Sequence, residues 1–323
     1  MAVYTEVTAE LLAAHLARYD VGRLVGHKGI TEGVENTNYL VTTDRGRYIL
    51  TLYEKRVDPA DLPFFLGLME HLSAHGVVCP LPVRDRSGAM LGTLAGRPAA
   101  LVTFLEGSWP RAQTVAHCAA VGEALGRLHV AADGFKLTRR NALGIAGWQP
   151  LFERFKADAD RVAAGLSATI GDELDHLHRV WPATLPAGVI HADLFPDNVF
   201  FQDGRLSGLI DFYFACNDAR AYDLAVSLNA WCFTPDVVYD RDKGRAMIAG
   251  YQSVRPLEAS EVDALPTLAR GAALRFLLTR AYDWLNTPPD ALVVPHDPIA
   301  YLKRLMAHRT MGDAGDLGLD RSS

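Results

Sequence analysis

Residues 189–198 read Val189-Ile190-His191-Ala192-Asp193-Leu194-Phe195-Pro196-Asp197-Asn198. Two apolar residues lead into a histidine, a carboxylate two positions on and an amide five positions beyond that, the pattern H-x-D-x-x-x-x-N. The chemistry explains why these residue types belong together. A carboxylate at Asp193 can orient a hydroxyl nucleophile and accept its proton, with His191 beside it. The amide of Asn198 offers a neutral oxygen, a donor that suits a hard cation such as Mg2+. Taken singly, His191 or Asp193 would read as a residue satisfying a turn. Together with the segment at 199–211, they read as a site where a carboxylate activates a hydroxyl beside a bound cation.

That segment has the pattern of a hairpin. Val199-Phe200-Phe201 and Leu206–Ile210 are apolar strand segments on either side of Asp203-Gly204, a favoured type I′ turn pair. With those two residues as the loop, Gln202 faces Arg205 and Asn198 faces Leu209. Asp211 then lies on the diagonal from Asn198, about 7–8 Å away between backbone positions. That spacing lets Asn198 and Asp211 share a metal ion.

Working outward, the 323 residues suffice for two lobes and a sizeable core. A formal net charge of -6 gives no basic field to draw in nucleic acid, so no nucleic-acid partner is expected. Cys79, Cys118, Cys216 and Cys232 lie far apart and form no C-x-x-C pair, which argues against a zinc knuckle or a disulfide framework. The first residues carry Glu6 and Glu10 and no basic segment followed by an apolar core, so no signal peptide is expected. No apolar run reaches the roughly 18 residues of a spanning helix. A cytoplasmic chain with no membrane partner is the expectation.

A short helix is expected after Thr8, running to Gly22. Asn38–Thr43 and Arg47–Tyr53 read as strands joined by a turn at residues 44–46, and Leu62–His75 has helical spacing. Ala89–Thr93 and Ala99–Phe104 are further strands. After Glu106-Gly107-Ser108 the pattern turns helical, at Thr114–His129, Trp148–Ala164, Gly171–Trp181 and from Ala221 onward, interrupted by the β excursion at 188–210. The tail after His308 is polar and Gly/Asp-rich and is expected to fray. The expectation is thus an α+β chain. A small antiparallel β lobe with one helix, residues 1–106, precedes a larger, mainly helical catalytic and substrate lobe, residues 107–323.

On these residues the chain resembles the aminoglycoside phosphotransferase/choline kinase branch of the protein-kinase-like superfamily. The loop 191–198 is similar to the kinase catalytic loop, and Asp211-Phe212-Tyr213 to the D-F-G segment whose aspartate binds metal. Gly122–His129 (GEALGRLH) is similar to that branch's helix ending in L-H, and Ala221-Tyr222-Asp223-Leu224-Ala225 to its Y-D-L-A segment. The resemblance implies a protein-kinase-like two-lobed fold, ATP as phosphoryl donor and Mg2+ as metal. It gives Asp223 a structural task, tying the helical lobe to the catalytic loop. Within that branch, GVENTNYLV at 33–41, RYILTLYEKRV at 47–57, HADLFPDNVFF at 191–201 and IDFYFACND at 210–218 are similar to the kinase-like homoserine kinases. That narrower resemblance implies L-homoserine as the small-molecule substrate.

The nucleotide side is less marked. Gly33, Asn36 and Asn38 fall where kinases carry a glycine-rich phosphate cover, but there is no G-x-G-x-x-G; the resemblance makes them a backbone cradle for phosphate. Thr51 occupies the position of the strand lysine, leaving Arg47, Lys55 or Arg56 to supply positive charge. Glu70 is an available acidic partner. The adenine is expected against Thr103–Glu106 by position.

A homoserine pocket also needs a cation for the carboxylate. Arg275 and Arg280 interrupt the apolar segment 272–285, where a charge is costly unless paired. One is the expected anchor, with Asp283 or Asp223 as the ordinary ion-pair alternative. Tyr213, Asn217, Trp231, Tyr282 and Trp284 are candidate pocket walls. A choline site would use Trp231 and Trp284 as an aromatic cage; an aminoglycoside site would be strongly acidic; methylthioribose is a further kinase substrate. A silent kinase-like binding protein is the reading from another class, against which the intact Asp193, Asn198 and Asp211 argue.

Overall fold

A computed structural model describes residues 4–30, 36–54, 57–288 and 294–319. The chain divides into two compact units, residues 1–107 with 207–213 and residues 108–206 with 214–323. The short return of 207–213 to the first unit is not visible as a break in the sequence pattern.

The first unit holds α1 (Ala9–Leu16), β1 (Leu24–Ile30), β2 (Thr37–Thr43), β3 (Gly46–Leu52), α2 (Leu62–Ala74), β4 (Gly92–Leu94) and β5 (Arg97–Thr103). The strands form one antiparallel sheet in the order β1-β2-β3-β5-β4. In β2 every second residue is buried, so Tyr39 and Val41 join Leu50, Leu52, Ala99 and Leu101 beneath Leu12, Leu16, Tyr19 and Val21. Thr8 caps α1 through its side chain, accepting from the Leu11 amide. The helix ends at Leu16, six residues short of Gly22. β1 gave no strand signal because it is an edge strand with no residue fully buried, so its sequence, LVGHKGI, carries no alternation.

The second unit holds α3 (Val115–Ala131), α4 (Ile145–Glu153), α5 (Leu166–Val180), β6 (Ala187–Ile190), β7 (Val199–Gln202), β9 (Cys216–Ala219), α6 (Arg220–Trp231), α7 (Arg241–Gln252), α8 (Ala259–Asn286) and α9 (Ile299–His308). Between β7 and β9 the chain runs through β8 (Arg205–Leu209), which pairs with β7. Asp203 and Gly204 both have positive φ, 50° and 75°, as a type I′ turn demands. Asn198, however, closes a 3-10 turn over Pro196–Asn198 instead of opening β7, so the expected strand register does not extend to it. β6 pairs antiparallel with β9, Ile190 opposite Cys216, and so holds the residues leading into the 191–198 loop. As far as Leu319 the tail does not fray as expected: Ala314, Leu317 and Leu319 are buried, and the Leu317 carbonyl accepts from the Tyr239 hydroxyl at 3.0 Å; residues 320–323 lie outside the described residues. Three small apolar contacts outweigh its polar composition. All four cysteines are buried free thiols. Among the described residues, no helix is long and apolar enough to cross a membrane.

Candidate active site

Ile190 ends β6 and the chain enters a loop with unusual backbone. Ala192 has φ 62°, a left-handed conformation that costs an alanine about 1–2 kcal/mol. Two bonds hold it there. The Asp223 carboxylate accepts the His191 amide at 2.6 Å and the Ala192 amide at 2.8 Å, so one side chain of α6 grips two successive N–H groups. Asp223 is fully buried. Burial pushes its carboxyl up, but the hydrogen bonds from His129 and from the His191 amide more than offset this, and the net shift is downward.

Behind Asp223 runs a buried chain of polar groups. Glu261 accepts from Arg255 at 3.0 Å, and Arg255 donates to the Tyr251 hydroxyl at 3.0 Å. Tyr251 lies 2.8 Å from Nδ1 of His129, whose Nε2 lies 3.1 Å from Asp223. Burial lowers the His129 pKa, which favours a neutral ring receiving from Tyr251 and donating to Asp223. The loop is pinned from another side by Trp231, whose indole N–H donates to the Leu194 carbonyl at 2.8 Å. Trp231 is fully buried and is not a pocket wall.

Within the loop His191 is fully buried, and its Nδ1 accepts the Asp193 amide at 3.3 Å. It shapes the loop; its ring is not presented to a substrate. Asn198 donates through its amide nitrogen to the Asp193 carbonyl at 2.8 Å. Its amide oxygen has no protein partner among the described residues, the state a metal ligand requires.

The Asp193 side chain keeps 19% of its surface exposed and faces Arg275 of α8, Nη1 to Oδ1, at 3.5 Å. This is an ion pair without hydrogen-bond geometry, and Nη1 has no hydrogen-bond partner among the described residues. Arg275 is 4% exposed, its guanidinium 3.8 Å from the ring centroid of Phe276 and 5.3 Å from that of Phe214. Burial raises the Asp193 carboxyl above its ordinary value, with the Arg275 charge opposing. The expected partners of Arg275, Asp283 or Asp223, are thus replaced by the candidate base itself. Sequence spacing cannot bring residues 193 and 275 together, so no signal could have found this pair.

Arg280, five residues on, has no carboxylate partner among the described residues. Its Nη1 donates weakly to the Asp297 carbonyl at 3.3 Å, and its guanidinium lies 4.5 Å from the Tyr301 ring centroid. Trp284 is 46% exposed. With Trp231 buried and Trp284 in solvent, this pair makes no aromatic cage. Asn217 accepts the Arg139 amide at 2.8 Å and Tyr282 accepts from Arg154, so both serve local structure.

In the first unit Asp211 has φ 63°, a left-handed conformation that aspartate tolerates better than most residues. Its carboxylate, like the Asn198 amide, is the hard oxygen donor that a divalent cation prefers. Tyr213 is tied to Tyr53, hydroxyl to hydroxyl at 3.2 Å, and its ring meets Phe65 edge-on. Those contacts make it part of its own unit's packing. Thr51, at the lysine position, is buried and donates to Asn38 at 2.8 Å; Asn36 accepts the Glu54 amide at 3.3 Å. The side-chain oxygens of both asparagines are therefore engaged inside the sheet. Gly33, Lys55 and Arg56 lie outside the described residues. Arg47 pairs with Glu106, and Glu70 with Arg84. Thr103 cannot offer its amide to an adenine, because that N–H donates to Leu81 at 2.9 Å; the Glu106 carbonyl accepts from Ser207 at 2.7 Å. The amides of Leu105 and Glu106 have no partner among the described residues.

Known proteins show what the chain is similar to. The model of the phosphotransferase enzyme family (APH) matches residues 26–257. A homoserine kinase of Azorhizobium caulinodans is 62% identical over 319 residues, 99% of each chain. One of Rhizobium etli is 59% identical over 319 residues, again 99% of each. Among solved structures, an amicoumacin kinase in complex with AMP-PNP and Ca2+ superposes with a TM-score of 0.71 at 14% identity, over 95% of this chain and 96% of that one. It shares the protein-kinase-like fold. The family match, covering more than half the chain, and the full-length relatives together show that the chain belongs to the phosphotransferase enzyme family and, within it, to the homoserine kinases.

Proposed function

We propose that this chain transfers the γ-phosphoryl group of ATP to the side-chain hydroxyl of L-homoserine, giving O-phospho-L-homoserine and ADP. The observation that carries the proposal is the 191–198 loop, with a partly exposed Asp193 facing a buried cation and Asn198 beside it. The full-length relatives supply the identity of the alcohol.

In this reading Asp193 accepts a hydrogen bond from the substrate hydroxyl and takes up its proton as the new P–O bond forms and ADP departs. Burial makes its carboxyl a better base than a surface aspartate, while Arg275 favours the anion at rest. The Asp223 grip fixes where Asp193 stands, which matters because about 1 Å of misplacement can cost on the order of a hundredfold in rate. Asn198, through its amide oxygen, and Asp211, through its carboxylate, are the residues that would hold Mg2+. When bound, the metal neutralises developing charge on the phosphate oxygens. The Leu105 and Glu106 amides suit an adenine edge. Gly33 and Lys55 remain the proposed phosphate contacts.

The test is product identification. Incubation with Mg-ATP and L-homoserine should give a new 31P resonance of a phosphomonoester coupled to methylene protons, growing as ADP grows. ADP release without that resonance, or no turnover at all, overturns the assignment.

A further inference from the structure

We infer that Arg280 and the Tyr301 hydroxyl form the subsite that takes the substrate's carboxylate. The inference rests on the homoserine reading and says which of the two arginines of α8 recognises the amino acid.

Arg275 is committed. Its guanidinium pairs with Asp193, the group that receives the hydroxyl end of the substrate. Homoserine is about 5 Å long from hydroxyl oxygen to carboxylate, so its two ends cannot both lie against Asp193. Arg280 stands about 7.5 Å further along the axis of α8, yet still senses the charges of Asp193 and Asp197. Among the described residues no carboxylate pairs with it, and the one hydrogen bond it makes there is a long one to a main-chain carbonyl. Burial disfavours its charge. A partly desolvated guanidinium without a counter-ion is costly unless an anion meets it.

Tyr301 of α9 supplies the second, independent observation. It is 1% exposed, and its hydroxyl has no hydrogen-bond partner among the described residues. Burial pushes its phenol up to about 12, so it stays protonated and can donate. A buried hydroxyl without a partner calls for a ligand. Arg280 lies 4.5 Å from this ring and Arg304 4.8 Å. Arg304 is held by the carbonyls of Asn229 and Ala300 at 3.0 Å and 2.9 Å, so it adds positive potential without being aimed at a ligand. Phe276 and Phe195 close the apolar side, their ring centroids 5.1 Å and 6.4 Å from that of Tyr301. Donors of this kind, a guanidinium and a phenol beside aromatic rings, suit an anionic group carried on an aliphatic chain.

The experiment compares L-homoserine with 3-aminopropan-1-ol, which keeps the hydroxyl, chain and amine but lacks the carboxylate. The latter is assayed at enzyme concentrations that bring its slower turnover into range. Arg280→Met should raise KM for L-homoserine about ten- to a hundredfold, with kcat and KM for ATP within about threefold. It should leave kcat/KM for 3-aminopropan-1-ol within about twofold of the wild type. Tyr301→Phe should act in the same direction more weakly, and Arg280→Lys should restore part of the loss. Calorimetric binding of L-2-aminobutyrate, which has the carboxylate and no hydroxyl, should weaken in parallel. Equal losses on both alcohols would assign Arg280 to the fold or the phosphoryl group and overturn the inference. So would an active wild type whose KM for homoserine ignores both the Arg280 and Tyr301 substitutions. A wild type inert towards L-homoserine removes the function reading, and this subsite with it.

Discussion

Ala192 stands at φ 62° between a buried histidine and the candidate base, and the two amide bonds to Asp223 help to keep it there. Strain of this kind, held by a fully buried carboxylate, is how a short loop can present one side chain in a fixed place. The side chain presented is Asp193. Asp193→Asn should therefore lower turnover by about a thousandfold while leaving the affinity for ATP within about threefold. Because the substitution also removes the counter-charge of Arg275, a lower melting temperature should accompany it. ADP-release kinetics with nucleotide titration check the first part and thermal melts the second; near-normal turnover would remove Asp193 from the mechanism. At this scale the sequence was informative about residue types. Asp193, Asn198 and Asp223 could be picked out because their spacing is local or their strings are distinctive. The Arg275 pairing, the vacant Tyr301 hydroxyl and the engagement of Asn36 and Asn38 inside the sheet were not legible. Each depends on partners far away in the chain.

Helices α3 and α7 cross closely, and glycines make the approach possible. A Cβ on Gly122 would stand 2.0 Å from the Met247 carbonyl oxygen, and one on Gly250 would stand 2.1 Å from that of Ala119. The approach matters for the site, since α3 carries His129 and α7 carries Tyr251, which meet at 2.8 Å behind Asp223. Gly250→Ala should cost about 1–3 kcal/mol, because two backbones must move apart. Urea unfolding measures the loss; an unchanged midpoint would show that the crossing relaxes freely. Elements were legible where a pattern was strong. β2 alternates, β3 is rich in aromatic and β-branched residues, the Asp203-Gly204 turn has its own chemistry, and Thr114 is a side-chain cap. β1 and β9 were invisible, the one an unalternating edge and the other the four residues CNDA. Asn198 lies in a 3-10 turn that no periodicity announces.

Across the whole molecule, buried neutral histidines set how stability responds to acid. His308 is 2% exposed, between Asn229 and Met311, and burial pushes its imidazole down to about 3. The unfolded chain takes up a proton there near pH 6.5, while the folded chain does not until about pH 3. Stability is thus unaffected by this group above pH 6.5 and falls as pH drops through the window, by up to about 1.4 kcal/mol per pH unit. His308→Gln should flatten the pH dependence between about 6.5 and 4 by up to one proton's worth. Denaturant midpoints at several pH values test it, and an identical slope in the variant would show that His308 titrates normally. The net charge of -6 gives no overall basic field for nucleic acid, and the chain divides into two compact units, with residues 207–213 returning to the first. The substrate rests on the widest range of features, so its test is the most direct. We would measure kcat/KM with Mg-ATP for L-homoserine, L-serine, choline and an aminoglycoside. L-Homoserine should rank first, with L-serine lower by on the order of a hundredfold, since an anchored carboxylate holds its shorter hydroxyl back from Asp193. Choline or the aminoglycoside ranking above L-homoserine would contradict the account.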